Sequence, residues 1–139
     1  MIGSKTDPYN KLDAMTTQPF DFAASRRKEA EFDSLIDPVV KNIAKEMSLL
    51  SGGLKVWGSH FGATGIDPKH LFVYFVLPTR ADVISLTEAG KFKIVRSSLL
   101  TKLEECGYPV AALQDDWLGV FSEQECKEEA NGNWYYFFK

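Results

Sequence analysis

The last seven residues of this 139-residue sequence read Asn133-Trp134-Tyr135-Tyr136-Phe137-Phe138-Lys139, with five aromatics in succession. Chain ends are ordinarily polar and loosely held, so a run this apolar must pack against the rest of the molecule or be covered by a partner. The five rings are more than a quarter of the aromatics in a chain with 3 Trp, 5 Tyr and 10 Phe. As a strand, the run would place Trp134, Tyr136 and Phe138 on one face and Tyr135 and Phe137 on the other. Aromatic side chains bury about 150–250 Å² each, so five would remove on the order of 1,000 Å² from water. At about 25 cal/mol per Å² this is roughly 20–25 kcal/mol gross, an upper bound that exceeds the net stability of about 5–15 kcal/mol of a domain. The tail is therefore predicted to be a structural last strand whose loss unfolds the protein. The Tyr135 face, with its polar tip, is the part expected to meet a partner.

With 45% hydrophobic and 25% charged residues, the composition is that of one globular domain with a core of its own. That domain is expected over residues 20–139. Residues 1–19 lack periodicity and are read as a disordered leader, and Met15 offers an alternative start that would make residues 1–14 an addition. A net charge of −3 and a pI near 5.4 argue against an electrostatic nucleic-acid binder. The sequence has no apolar run of membrane-spanning length and no basic-then-apolar export signal. Cys106 and Cys126 fit neither a disulfide framework nor a zinc site, and they read as free thiols in a reducing, cytoplasmic compartment.

The remaining elements follow from local signals. Phe32, Leu35 and Ile36 form a short stripe ahead of Asp37-Pro38. Val39, Val40, Ile43, Met47 and Leu50 then recur at helical spacing until Gly52-Gly53. Asp37 as an N-cap before Pro38 predicts two helices in sequence, or one kinked at Pro38. Residues 54–61 read as a strand, followed by a glycine-containing loop. Residues 71–77 form the clearest strand, apolar on both faces, and hence central and covered on two sides, or covered on one and dimerised on the other. The short connection makes these two strands an antiparallel pair. Thr79 and Asp82 cap a short helix closed by Gly90. A longer helix follows with Phe92, Val95, Leu99, Leu103 and Cys106 on one face. Residues 117–121 form a further strand, and Ser122 with Glu125 caps a short helix closed by Asn131-Gly132. The order α-β-β-α-β-α-β predicts an α+β domain with a mixed or antiparallel sheet of about four strands.

No catalytic constellation, metal set or cofactor motif is found. His60, in Trp57-Gly58-Ser59-His60-Phe61, could serve as a general base assisted by Ser59 or a distant carboxylate, but the sequence supplies no nucleophile or orienting partner. The plainer reading is a strand histidine satisfied by a backbone carbonyl or water. Gly58, Gly62 and Gly65 lack the lysine and helix of a phosphate loop. Arg80, beside a helix N-terminus, could receive an anion. Together His60 and Arg80 define an alternative reading, a small-molecule pocket or enzyme near the Gly58–Gly65 loop. Residues 114–130 carry six acids, Asp115, Asp116, Glu123, Glu125, Glu128 and Glu129, against Lys127 alone. Such a face can steer a basic partner. The leading expectation is a protein-binding module of immunity or antitoxin-like type that neutralises a basic protein, with the question of catalytic activity left open. Its contact residues would be Asp115, Asp116, Trp117, Glu125, Glu128, Glu129 and Tyr135, with homodimerisation as a third reading.

Overall fold

The computed structural model describes residues 20–139; the expected leader over 1–19 lies outside the described residues. The described residues begin with one helix, α1 (Phe22–Leu50), N-capped by Asp21, whose carboxylate accepts from the Ala24 amide at 2.9 Å. The helix continues through Pro38 without a break, so Asp37 is not an N-cap. Proline inside a helix costs about 3 kcal/mol by removing one N–H and crowding the preceding turn. Continuity of the apolar stripe offsets this, because Phe32, Ile36, Val40, Ile43 and Met47 keep one helical face across the proline and all are buried. The helix stops at Ser51, where Gly52 and Gly53 both take left-handed φ values of 77° and 92°.

The sheet has three strands, β1 (Trp57–Phe61), β2 (Phe72–Leu77) and β3 (Leu118–Ser122), in the order β1-β2-β3. β1 runs antiparallel to β2, and β3 runs parallel to it. The parallel pair is made possible by a crossover through α2 (Arg80–Glu88) and α3 (Lys91–Glu105). Thr79 and Asp82 form the expected reciprocal cap of α2, and Gly90 separates the two helices with φ 73°. β3 leads directly into α4 (Glu123–Ala130), where Ser122 Oγ accepts from the Glu125 amide at 3.0 Å. The domain is α+β: five helices are packed on a mixed sheet among the described residues.

The aromatic tail is not a fourth strand. It forms α5 (Trp134–Phe137), a single helical turn capped by Asn133, whose side chain accepts from the Tyr136 amide at 3.1 Å. Left-handed Asn131 and Gly132 turn the chain back over the sheet before it. One turn suffices because helical spacing gathers Trp134, Phe137 and Phe138 on one side. They point into the molecule, while Tyr135 and Tyr136 remain 69% and 62% exposed.

Alternation along the strands gives the sheet two faces. Val73, Phe75 and Leu77 of β2 belong to the main core with the α1 stripe, Leu86 of α2, and Val95, Leu99 and Leu103 of α3. Gly58 on β1 faces the same way; a Cβ there would meet Phe75 Cδ1 at 2.5 Å and Val40 Cγ1 at 3.0 Å, so glycine is what lets β1 close onto this layer. Tyr108 closes one end of the core, edge-on to Phe32 and donating to the Pro68 carbonyl at 2.6 Å.

Candidate functional site

The opposite face of the sheet presents Trp57, Ser59 and Phe61 from β1, Phe72, Tyr74 and Val76 from β2, and Gly119 and Phe121 from β3. Gly119 makes room for two of these rings; a Cβ there would come within 2.7 Å of Phe121 and 3.0 Å of Phe72. The tail lies directly on this layer. Phe138 meets Tyr74, Phe61 and Phe121 at ring-centroid distances of 4.6, 5.2 and 5.2 Å. Trp134 stacks on Tyr74 at 5.9 Å and stands edge-on to Trp57 at 5.5 Å. Offset and edge-on pairs add about 0.5–1.5 kcal/mol each beyond area burial, so a short turn is held by a network of contacts. Burial raises the Tyr74 hydroxyl pKa, while a hydrogen bond with Ser59 works against that rise.

A single turn cannot cover the whole layer. Phe61 stays 46% exposed at its margin. A groove of about 410 Å³ opens between Phe61, Tyr74, Trp134, Tyr135 and Phe138, with Lys139 at its rim. A second groove of about 340 Å³ lies across Phe61 and Phe138, reaching Phe72, Phe121 and the polar side chains of His70 and Asp116. The Lys139 ammonium sits 5.1 and 5.9 Å from the Tyr135 and Tyr136 ring centres, within cation–π range.

The acidic segment is partly engaged within the molecule. Glu128 and Glu129 both pair with Arg80, the latter at 3.1 Å, which ties α4 to the start of α2. The hydrogen bond from Arg80 holds the Glu128 carboxyl below the usual carboxylate range. Glu123 accepts from Trp57 Nε1 at 3.3 Å. Asp115 and Asp116 are exposed and Glu125 is half-buried, and none of the three has an ion-pair partner among the described residues. Trp117 is 3% exposed within the core, with the Arg96 guanidinium 5.8 Å from its ring centre, so only an edge of it reaches the second groove and it is not an exposed anchor. Tyr135 is at the surface as expected, and it belongs to the groove rather than to a strand face.

His60 and Arg80 do not share a pocket. His60 points to the α1 side of the sheet, where Nε2 lies 2.5 Å from Asp37 Oδ1 and Nδ1 lies 3.8 Å from Asp33 Oδ1. Ser59 points to the other face, as strand alternation requires, and so does not assist it. The partner of His60 is therefore a pair of carboxylates one turn apart on α1 rather than a backbone carbonyl. The Asp33–Asp37 spacing on a helix facing a strand histidine was the available signal. The arrangement fastens β1 to α1 and contains no nucleophile. Arg80 is occupied by Glu128 and Glu129 and is not a free anion receptor. Cys126 is buried, and burial followed by Glu123, Glu125 and Glu129 raises its thiol pKa, which disfavours the reactive thiolate. Among the described residues no cluster of His, Cys, Asp and Glu could hold a metal ion, and no helix is long and apolar enough to cross a membrane.

The residues that sequence reasoning missed are Phe61, Phe72, Tyr74 and Phe121, which form the floor beneath the tail. Their signal was the second apolar face of the 71–77 strand. The chain matches no protein-family model, no curated protein and no solved structure.

Proposed function

We propose that this protein is a protein-binding module that holds its partner on the aromatic face of the sheet, between the tail turn and the Phe61 margin. The observation that carries this reading is the exposure of Phe61, Tyr135 and Tyr136, at 46%, 69% and 62%, around an apolar groove. Aromatic rings on a rigid scaffold are the usual anchors of protein interfaces, since they offer large contact area at low entropic cost. Asp115, Asp116 and Glu125 add a local negative field beside the face, favouring a basic partner. In its narrowest form the reading is an immunity or antitoxin-like protein that caps a basic protein. The His60–Arg80 pocket of the alternative reading has no geometric support, because the two side chains are separately engaged.

A photo-crosslinking residue placed at position 61 or 135 tests this in native lysate, with position 84 as control. Ile84 is 54% exposed on α2, away from the aromatic face. The expected result is one protein adduct from 61 and 135 that is absent from 84 and is lost on adding Asp116→Lys. Equal labelling from all three positions, or an adduct that is the protein itself, sinks the reading and in the second case favours a homodimer.

A further inference from the structure

β1 is an edge strand, paired with β2 on one side only. Among the described residues, the backbone groups of Trp57–Phe61 make no backbone hydrogen bond beyond that pairing. Beside this open edge runs a groove of about 540 Å³, lined by Lys41, Lys45 and Ser48 of α1 and by residues 55–58. Three of its lining residues are lysines: Lys41, Lys45 and Lys55. None has a carboxylate within 4.0 Å among the described residues. Asp37, one turn ahead of Lys41, is turned to His60 instead. Lys41 and Lys45 stand four apart on the helix, where like charges repel. An unpaired strand edge and a row of unneutralised lysines thus border the same groove.

We propose that this edge takes an extended acidic segment of another protein as a fourth strand, with its alternate carboxylates meeting Lys41, Lys45 and Lys55. Strand addition supplies backbone hydrogen bonds, and side-chain pockets supply selectivity. The spacings match. Lysines four apart on a helix are separated by about 6 Å of rise. Alternate residues on a strand are separated by about 6.6 Å. A Glu-x-Glu sequence therefore presents one carboxylate to each lysine of α1. Five residues in β1 limit the added strand to about five or six residues. This site lies along the edge of the sheet and shares only Trp57 with the aromatic face.

Lysines also serve to keep edges from pairing at all. The experiment separates the two roles with a fluorescein-labelled peptide, Thr-Glu-Val-Glu-Val-Glu-Thr, and its Thr-Lys-Val-Lys-Val-Lys-Thr counterpart, measured by anisotropy on the full chain. The acidic peptide is expected to bind saturably and the basic one not to bind. Affinity should fall about tenfold in the double variant Lys41→Glu/Lys45→Glu, whose melting serves as the check on folding. It should also weaken as salt rises from about 50 to about 300 mM. Amide exchange in residues 57–61 should slow on saturation. No saturable binding, or binding without slower exchange at β1, overturns the proposal. Equal or tighter lysine-dependent binding of an oligothymidylate also overturns it, making the groove a polyanion surface.

Discussion

On one face of the sheet Val73, Phe75 and Leu77 are fully buried beneath α1 and α3; on the other, Phe61 keeps 46% of its surface beside a helix of four residues. Both faces are apolar and belong to the same three strands, and what covers them differs. The first lies beneath long helices whose aliphatic side chains interdigitate, which leaves no surface. The second is an aromatic layer whose rings meet edge-on, tilted or stacked, and ring geometry leaves grooves that a single turn cannot fill. The lesson is that the fold rests on one face, and the other has surface to spare for recognition.

The buried face carries the largest expected effect. Phe75→Ala should cost about 3–5 kcal/mol by denaturant titration, the range for a fully buried ring. A loss below about 1 kcal/mol would mean that the helical layer is not the dominant core. Deletion of residues 133–139 should cost less, about 2–4 kcal/mol, since only Trp134, Phe137 and Phe138 are partly buried and two rings are already in water. The truncated chain should still unfold cooperatively and should bind a hydrophobic dye through its uncovered aromatic layer. Non-cooperative melting would show that the two faces form one core.

A smaller change sharpens the contrast through pH. Burial, reinforced by Asp67, pushes the Tyr108 hydroxyl from 10.0 up to about 12. A raised pKa in the folded state means stability that is fully present below the unfolded value and is lost as pH rises through the folded one. The wild type should therefore lose stability between pH 10 and about 12, and Tyr108→Phe should flatten that limb while costing about 1 kcal/mol at neutral pH for the lost bond to Pro68. Smallest of all is the Arg80–Glu128 contact, exposed at both ends. Because the folded Glu128 pKa is lowered, its contribution is present above the ordinary carboxylate value and fades as pH falls through the folded one. Glu128→Gln should leave the melting temperature at neutral pH almost unchanged and slightly flatten the acid limb. A large neutral-pH loss would make this clamp a structural link between α4 and α2 rather than a solvated surface pair.

Much of the fold was legible because its signals are short-range. Helical spacing along Phe32, Ile36, Val40, Ile43 and Met47, the Thr79–Asp82 and Ser122–Glu125 caps, and the left-handed turns at Gly52 and Gly90 each depend on a few neighbouring residues. The 71–77 strand was readable as central because both its faces are apolar. The candidate site was less legible. Five aromatics in a row satisfy strand alternation and helical spacing equally, and only the adjacency of Tyr135 and Tyr136 hinted at the helix, since a helix turns both polar tips outward together. Acidic residues in sequence likewise carry no record of whether a distant Arg80 will engage them.

The sequence by itself determined most helix caps, the glycine turns that close them and which strand lies at the centre, because caps, periodicity and glycine turns act within a few residues. Only the tertiary structure decided that α1 continues through Pro38, that Trp117 is core and that His60 meets Asp37. It also decided that the tail folds as a turn over an aromatic sheet face. Each of these depends on which distant surface is available to bury a ring, offset a lost hydrogen bond or neutralise a charge, and no local pattern encodes that partner.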